Sequence, residues 1–529
     1  MVAAWLAGAL VGYLAFFYFF GGWSLSAPAD LTLCNGTEPQ TLDPAILTGE
    51  PELRIVQALF EGLTSRNAKG EIIPGVAQSW TLSPDGLTYT FTLRPEAKWS
   101  NGDPVTAYDF LNSWERALNP LTTAQYSYQL YYLVNGEAYG TGKLHDFSQV
   151  GVKAPDEHTL VVTLAHPTAY FLELCTLPIL DPVHLPTLKK YGHDWTKPGK
   201  MVSNGPYVLK AWRLKDYILL EANPHYWRAV PIHRIKVLPT DSPAACFNLF
   251  YSKKTDLILD KNSIPAELVP AITSKPYFHA NPFGATTFLR FNVKRKPFDD
   301  VRVRKALALA LDKKDIVTKI TRAGEPVANT LVPPDSAGYT PPQGLSYNVE
   351  EARRLLAEAG YPDGRGFPDV TMLYPARSNW VQIATEMQAL WRRDLGITSI
   401  QLRGQEWKVY LNTQELIDFD FSLSAWIGDY NDPQTFIDMF VTDGGNNQTG
   451  WSDPQYDQML QTSENTPDPA QRMQILHDME KILVEDEVPI IPVNFWVGMS
   501  LYYPDKVGGF EPNFVDDHRW GEFYIPGKK

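Results

Sequence analysis

The residues Asp418-Phe419-Asp420-Phe421-Ser422-Leu423-Ser424-Ala425 alternate with a period of two, and the alternation ends at Trp426-Ile427-Gly428-Asp429-Tyr430-Asn431-Asp432-Pro433. Period two over such a run reads as a strand with one buried face. The following segment, Gln434–Phe440, reads as a helix. A strand opening through a loop into a helix points to α/β architecture, where ligands gather at strand ends. Asp429 has the chemistry to accept several hydrogen bonds from an ammonium group, and Trp426 offers a flat apolar wall. Together they suit the free amino end of a peptide. The same eight residues also suit a plain turn, because Asp and Asn are common turn residues. The rest of the chain has to decide between the two.

A chain of 529 residues is too long for one hydrophobic core and is expected to form two to four domains. Its 44% hydrophobic and 20% charged content is that of a globular protein. The net charge of −13 argues against a nucleic-acid surface, which needs a basic stripe. The 15 Trp, 26 Tyr and 25 Phe are enough to fill cores and also to line a cleft. Cys34, Cys175 and Cys246 form no C-x-x-C pair, so there is no metal or redox motif; one disulfide is allowed, with its pairing open. Val2–Trp23 is apolar and uncharged, about 22 residues against the ~20 that span a bilayer. Ala27-Pro28-Ala29 resembles a small-x-small cleavage site. Residues 1–29 therefore read as an export signal or retained membrane anchor, and the body from Asp30 onward is expected outside the cytoplasm.

Taken in order, Leu31–Asn35 reads as a strand and Pro51–Phe60 as a helix. Gly75-Val76-Ala77-Gln78-Ser79-Trp80 is followed by the turn Ser83-Pro84-Asp85-Gly86 and the alternating strand Leu87–Arg94. After the turn at Asn101-Gly102-Asp103-Pro104, Thr106 caps a helix over Ala107–Leu118. Further along come Ser203-Asn204-Gly205-Pro206-Tyr207 and Asn223-Pro224 with Tyr226-Trp227. Pro297-Phe298-Asp299-Asp300-Val301-Arg302-Val303-Arg304 reads as an Asp-capped helix with Val303, Ala306, Leu307 and Ala310 on one face and its basic residues outside. This ordered series resembles the peptide-binding proteins of ABC importers, solute-binding family 5, over nearly all of Leu31–Gly521. Asn35-Gly36-Thr37-Glu38 and Asp429–Pro433 bring it closest to the oligopeptide branch.

The resemblance implies an α/β fold with mixed sheets, periplasmic binding protein-like, with two lobes joined by a hinge and a third domain. It places domain I at 30–60, 184–283 and 495–529, domain II at 61–183 and domain III at 284–494. It implies an oligopeptide held by backbone pairing, delivered by a monomer to ABC permease subunits backed by ATPase subunits, with no cofactor or metal. Asp429 matches the family's amine-binding aspartate. Ala425 and Ile427 match positions whose main chain pairs with ligand, and Trp407 and Trp426 match aromatic pocket walls. Asn262, Tyr126 and Trp496 fall at further ligand-side positions. The departures are informative. Where related binders carry basic or His groups for the ligand carboxylate, this chain has Trp380, Gln414 and Leu423, with Arg377 nearby. Thr48 stands in place of a Glu, and Glu50, in place of an apolar residue, favours a basic or modified peptide. Relatives that bind murein peptides, nickel complexes, haem or sugars keep other ligands open, and the N-terminal run keeps an anchored receptor open. A hydrolase is disfavoured: no G-x-S-x-G or H-E-x-x-H occurs, the 10 His are scattered, and Asp516-Asp517-His518 reads as a solvated tail.

Overall fold

The computed structural model describes residues 28–527, apart from 241, 260–262, 335, 377 and 467. The N-terminal apolar run, Asn262 and Arg377 therefore lie outside the described residues. Among those that are described, no helix is long and apolar enough to cross a membrane.

A ten-stranded mixed sheet runs through the molecule. Its order is Ile400–Gln405, Val370–Pro375, Phe421–Ile427, Phe278–Phe291, Ile490–Tyr502, Leu257–Ile258, Leu31–Cys34, Arg234–Leu238, Tyr217–Ala222 and Tyr207–Arg213. The two long central strands, Phe278–Phe291 and Ile490–Tyr502, pair antiparallel from Phe278↔Leu501 to Arg290↔Ile490, with register shifts between Phe283 and Thr286 and between Thr287 and Phe288. They join two sets of hydrophobic cores. On one side, one core gathers residues 31–259 with the C-terminal Trp520 and Phe523. On the other, two cores gather side chains between Phe288 and Val493. A separate four-stranded antiparallel sheet, ordered Ala77–Leu82, Thr88–Leu93, Thr159–Thr163 and Val152–Asp156, packs into the first core.

Local rules hold where expected. The helix is Ala107–Leu118, and the Asp109 carboxylate accepts from the Thr106 N–H (2.8 Å) and hydroxyl (2.9 Å). Asp300 caps Val301–Leu309 through the Arg302 N–H (2.9 Å). Three expectations need correction. The strand expected to end at Ala425 runs on through Trp426 and Ile427, because Thr286 and Ala285 of the neighbouring strand pair with them. Arg304 is buried, not outside: its guanidinium donates to the carbonyls of Phe298, Glu487 and Val488. The Asp516–His518 segment is no solvated tail. His518 stacks on Phe510 at 3.7 Å, and Asp517 accepts from Arg519 at 3.0 Å. All three cysteines are free and buried; Cys34 and Cys246 share one core and Cys175 lies in another.

Candidate ligand-binding site

The strand Phe421–Ile427 is paired on one side along its whole length, from Phe291↔Phe421 to Ala285↔Ile427. On the other side Val370–Pro375 meets it only at Phe421 and Ser422. The Gly428 N–H donates to the Gly284 carbonyl (2.8 Å), so residues 424 and 426 turn their main-chain groups toward the paired side. Residues 423, 425 and 427 turn theirs toward the open side. The Leu423 carbonyl there accepts from the Tyr410 hydroxyl (2.8 Å). The main-chain groups of Ala425 and Ile427 come next and face an open sheet edge. Ile427 is 40% exposed, unusual for an isoleucine in a central strand. An edge of this kind accepts an added strand.

The loop after the edge is fixed from within. A Cβ at Gly428 would stand 3.0–3.2 Å from Phe436 and Thr435, so the close approach of chain and ring requires glycine. The Asp429 N–H donates to Thr435 Oγ1 (3.1 Å). Asp432 accepts from the Gln434 main-chain N–H (2.9 Å) and takes a bidentate pair from buried Arg472 at 2.7 and 2.8 Å. Tyr430 stacks flat on Tyr170 at 3.9 Å, and the Gln434 amide reaches the Tyr170 hydroxyl at 3.3 Å.

These contacts aim the Asp429 carboxylate into surroundings of Tyr126, Tyr128 and Tyr132, all of which feel its charge. Among the described residues no cation and no hydrogen-bond donor pairs with that carboxylate, and desolvation raises its carboxyl to about 6. Behind it Asp438 is pushed further, to about 8, by burial and then by the charges of Asp429, Glu464 and Asp432. At neutral pH Asp438 keeps its proton, and Asp429 carries the charge. Such a carboxylate lacks one thing, a cation with several N–H donors. No three His, Cys, Asp or Glu among the described residues are grouped to hold a metal.

The structure thus brings Asp429, Trp426, Ala425, Ile427 and Tyr126 together. Trp496 joins them through its indole N–H, which donates to Thr287 Oγ1 (2.8 Å) opposite Ala425. The two tryptophans are on opposite faces of the sheet: Trp426 stands in the row of Thr286, Trp496 in that of Thr287. Trp426 is on the strand with the open edge, while Trp496 reaches over from the strand two places behind it. Glu50 begins the helix Glu50–Leu59 and accepts from Arg54 (3.0 Å); among the described residues no hydrogen bond or ion pair joins it to the others. Trp407 opens the helix Trp407–Glu415, and its side chain lies outside the described set. Gln414 is buried on Ser422 (2.9 Å) and Ser424 (2.5 Å). Leu423 is in the core, with Trp380 packed against it, so none of these three presents a cation. Sequence reasoning missed Tyr128, Tyr132, Tyr170 and Asp438. The aromatic run Tyr126-Ser127-Tyr128 with Tyr131-Tyr132 was the signal for the first two.

An unpaired, desolvated carboxylate beside an open strand edge suits a ligand that brings an ammonium group and a main chain of its own. Residues 71–448 match the bacterial extracellular solute-binding proteins, family 5, and the chain belongs to that family. It is 35% identical to the periplasmic oligopeptide-binding protein OppA of Escherichia coli (strain K12), over 92% of this chain and 91% of that one. In structure it is similar to the murein tripeptide-binding protein MppA in its unliganded open form, with a TM-score of 0.81 and 32% identity over 94% of this chain and 97% of that one. It is also similar to Haemophilus influenzae OppA in complex with RPPGFSPFR, with a TM-score of 0.76 and 31% identity over 94% and 98% of the two chains. The fold is the mixed α/β, two-lobed fold of these binding proteins.

Proposed function

We propose that the chain is the substrate-binding component of an ABC peptide importer. It captures an oligopeptide at the edge formed by Ala425 and Ile427, holds the ammonium end at Asp429 and hands the ligand to membrane permease subunits. The observation that carries this reading is the Asp429 carboxylate, buried enough to be raised to about 6 and unpaired beside an open strand edge. Main-chain pairing reads no side chain, which suits ligands of mixed sequence. Trp426, Trp496 and Tyr126, with Trp407, Asn262 and Glu50, complete the proposed site. The proposed lobes are residues 30–60, 184–283 and 495–529 against 284–494, with 61–183 as the additional domain. The division of cores at Phe278–Phe291 and Ile490–Tyr502 supports it. The protein works as a monomer outside the cytoplasmic membrane, exported or tethered through residues 2–23.

Calorimetry with paired peptides tests the central claim. Peptides with a free amino end bind the parent chain, their N-acetylated twins bind at least about a hundredfold more weakly, and Asp429→Ala removes the difference. Equal binding of the twins to the parent chain rules out the amino-end role of Asp429.

A further inference from the structure

We propose that Arg290 anchors a carboxylate of the bound ligand, among the buried polar side chains on the Trp426 face of the strand. The proposal rests on the peptide reading above and adds the second charge of the ligand. Arg290 stands directly across from Ser422 in the strand pair, and Thr286 stands across from Trp426. Paired residues share a face and alternate residues repeat it, so Arg290, Ser422, Ser424 and Trp426 lie on one side of the sheet. Asp429 follows two residues after the end of the same strand. A peptide laid along Ala425 and Ile427 sends every second side chain to the Trp426 side, toward Ser424 and then Arg290.

The chemistry at Arg290 is incomplete. It is 4% exposed, yet its guanidinium meets only neutral acceptors. Nη1 donates to the Asn446 carbonyl (3.0 Å) and to Gln448 Oε1, while buried Nε has no partner. The Phe288 ring lies 5.2 Å from the guanidinium carbon. Around it, Gln414, Ser422, Ser424 and Tyr410 form a network of hydroxyl and amide groups. Burial lowers the Arg290 pKa to about 10, and the one nearby group that offsets this is the Tyr410 phenol. A buried cation with no counter-charge among the described residues and an unused N–H is costly to keep for structure alone. A ligand carboxylate supplies the missing charge and can take Nε. Two sources have this chemistry, the terminal carboxylate of a short peptide and an Asp or Glu side chain.

The test uses the full chain and a set of tetrapeptides on an alanine scaffold. Each carries Glu or its Gln twin at one of positions 2–4, or ends as the free acid or its amide twin. The expected result is that one class of carboxylate binds the parent at least about tenfold tighter than its amide twin. Arg290→Gln abolishes that contrast, and Arg290→Lys keeps part of it. A contrast between Glu and Gln identifies the side chain as source; one between acid and amide ends identifies the terminus. Equal binding of all twins to the parent, or a tenfold contrast that survives in folded Arg290→Gln, overturns the proposal. If Arg290→Gln does not fold, Arg290→Lys decides: it is expected to keep only part of the contrast, and an undiminished contrast in it overturns the proposal. Dependence on a free amino end without any carboxylate contrast removes Arg290 and leaves Asp429 standing. Indifference to N-acetylation removes both.

Discussion

Asp429 shows how much of one residue's role is local. Its place after an alternating strand was legible, because Trp426, Gly428 and Asp429 sit within a few residues of one another. Its lack of a partner was not, since that depends on tyrosines some 300 positions earlier. The raised carboxyl gives a signed prediction. In the ligand-free protein Asp429 is ionised above about pH 6 and protonated below it. An ammonium needs the ionised form, so affinity for free-amino peptides is full near pH 7 and falls as pH drops through 6. One proton is linked to binding, so affinity at pH 5 is about tenfold weaker than at pH 7. Asp429→Asn flattens this profile and costs about 2–5 kcal/mol of binding at pH 7. Calorimetry across pH 5–8 checks both; a flat profile for the parent places the titrating group elsewhere. Arg290 was illegible for a related reason: its acceptors, Asn446 and Gln448, lie 156 and 158 positions further along the chain.

At the scale of elements, the capping box at Thr106 and Asp109 lies within one turn and was readable. The extension of the strand to Ile427 was not, because it depends on pairing with Thr286 and Ala285, about 140 positions away. Arg304 was misread for the same reason: the carbonyls that bury it belong to Glu487 and Val488. The C-terminal segment is the least legible element. It lies against both long central strands, with the Phe514 ring over Gly284 and the Asp516 carboxylate over Gly498. The Gly284 N–H also donates to the Phe514 carbonyl (2.6 Å). A Cβ at Gly284 would come within 2.4 Å of the Phe514 ring, so strand and segment cannot both keep their places. Gly284→Ala is expected to destabilise the fold by about 1–3 kcal/mol. Urea unfolding of Gly284→Ala and of Gly284→Ala with Phe514→Ala distinguishes overpacking from a backbone effect. Overpacking predicts that the second change recovers part of what the first one loses.

For the whole molecule, ligand capture is a question of how the lobes are held together. Two long strands pass between the cores, and a few contacts bridge them beside the site. Tyr430, from the far side, is packed in the first core, stacked on Tyr170. Arg472 fixes the loop that carries Tyr430 through Asp432 and Gln434, and Gln434 reaches Tyr170 as well. None of these side chains is needed to touch a peptide paired along Ala425 and Ile427. Removing them is therefore expected to change affinity through the population of an arrangement in which these contacts hold the lobes together. The aromatic pair contributes about 0.5–1.5 kcal/mol, so Tyr170→Leu is expected to weaken peptide binding by about twofold to tenfold. The preference for a free amino end stays the same, because Asp429 is unchanged. Small-angle scattering then shows a larger radius of gyration for ligand-free Tyr170→Leu than for the parent, and saturating peptide brings the two together. Equal radii without ligand, combined with weaker binding, would instead mean that Tyr170 acts on the ligand directly.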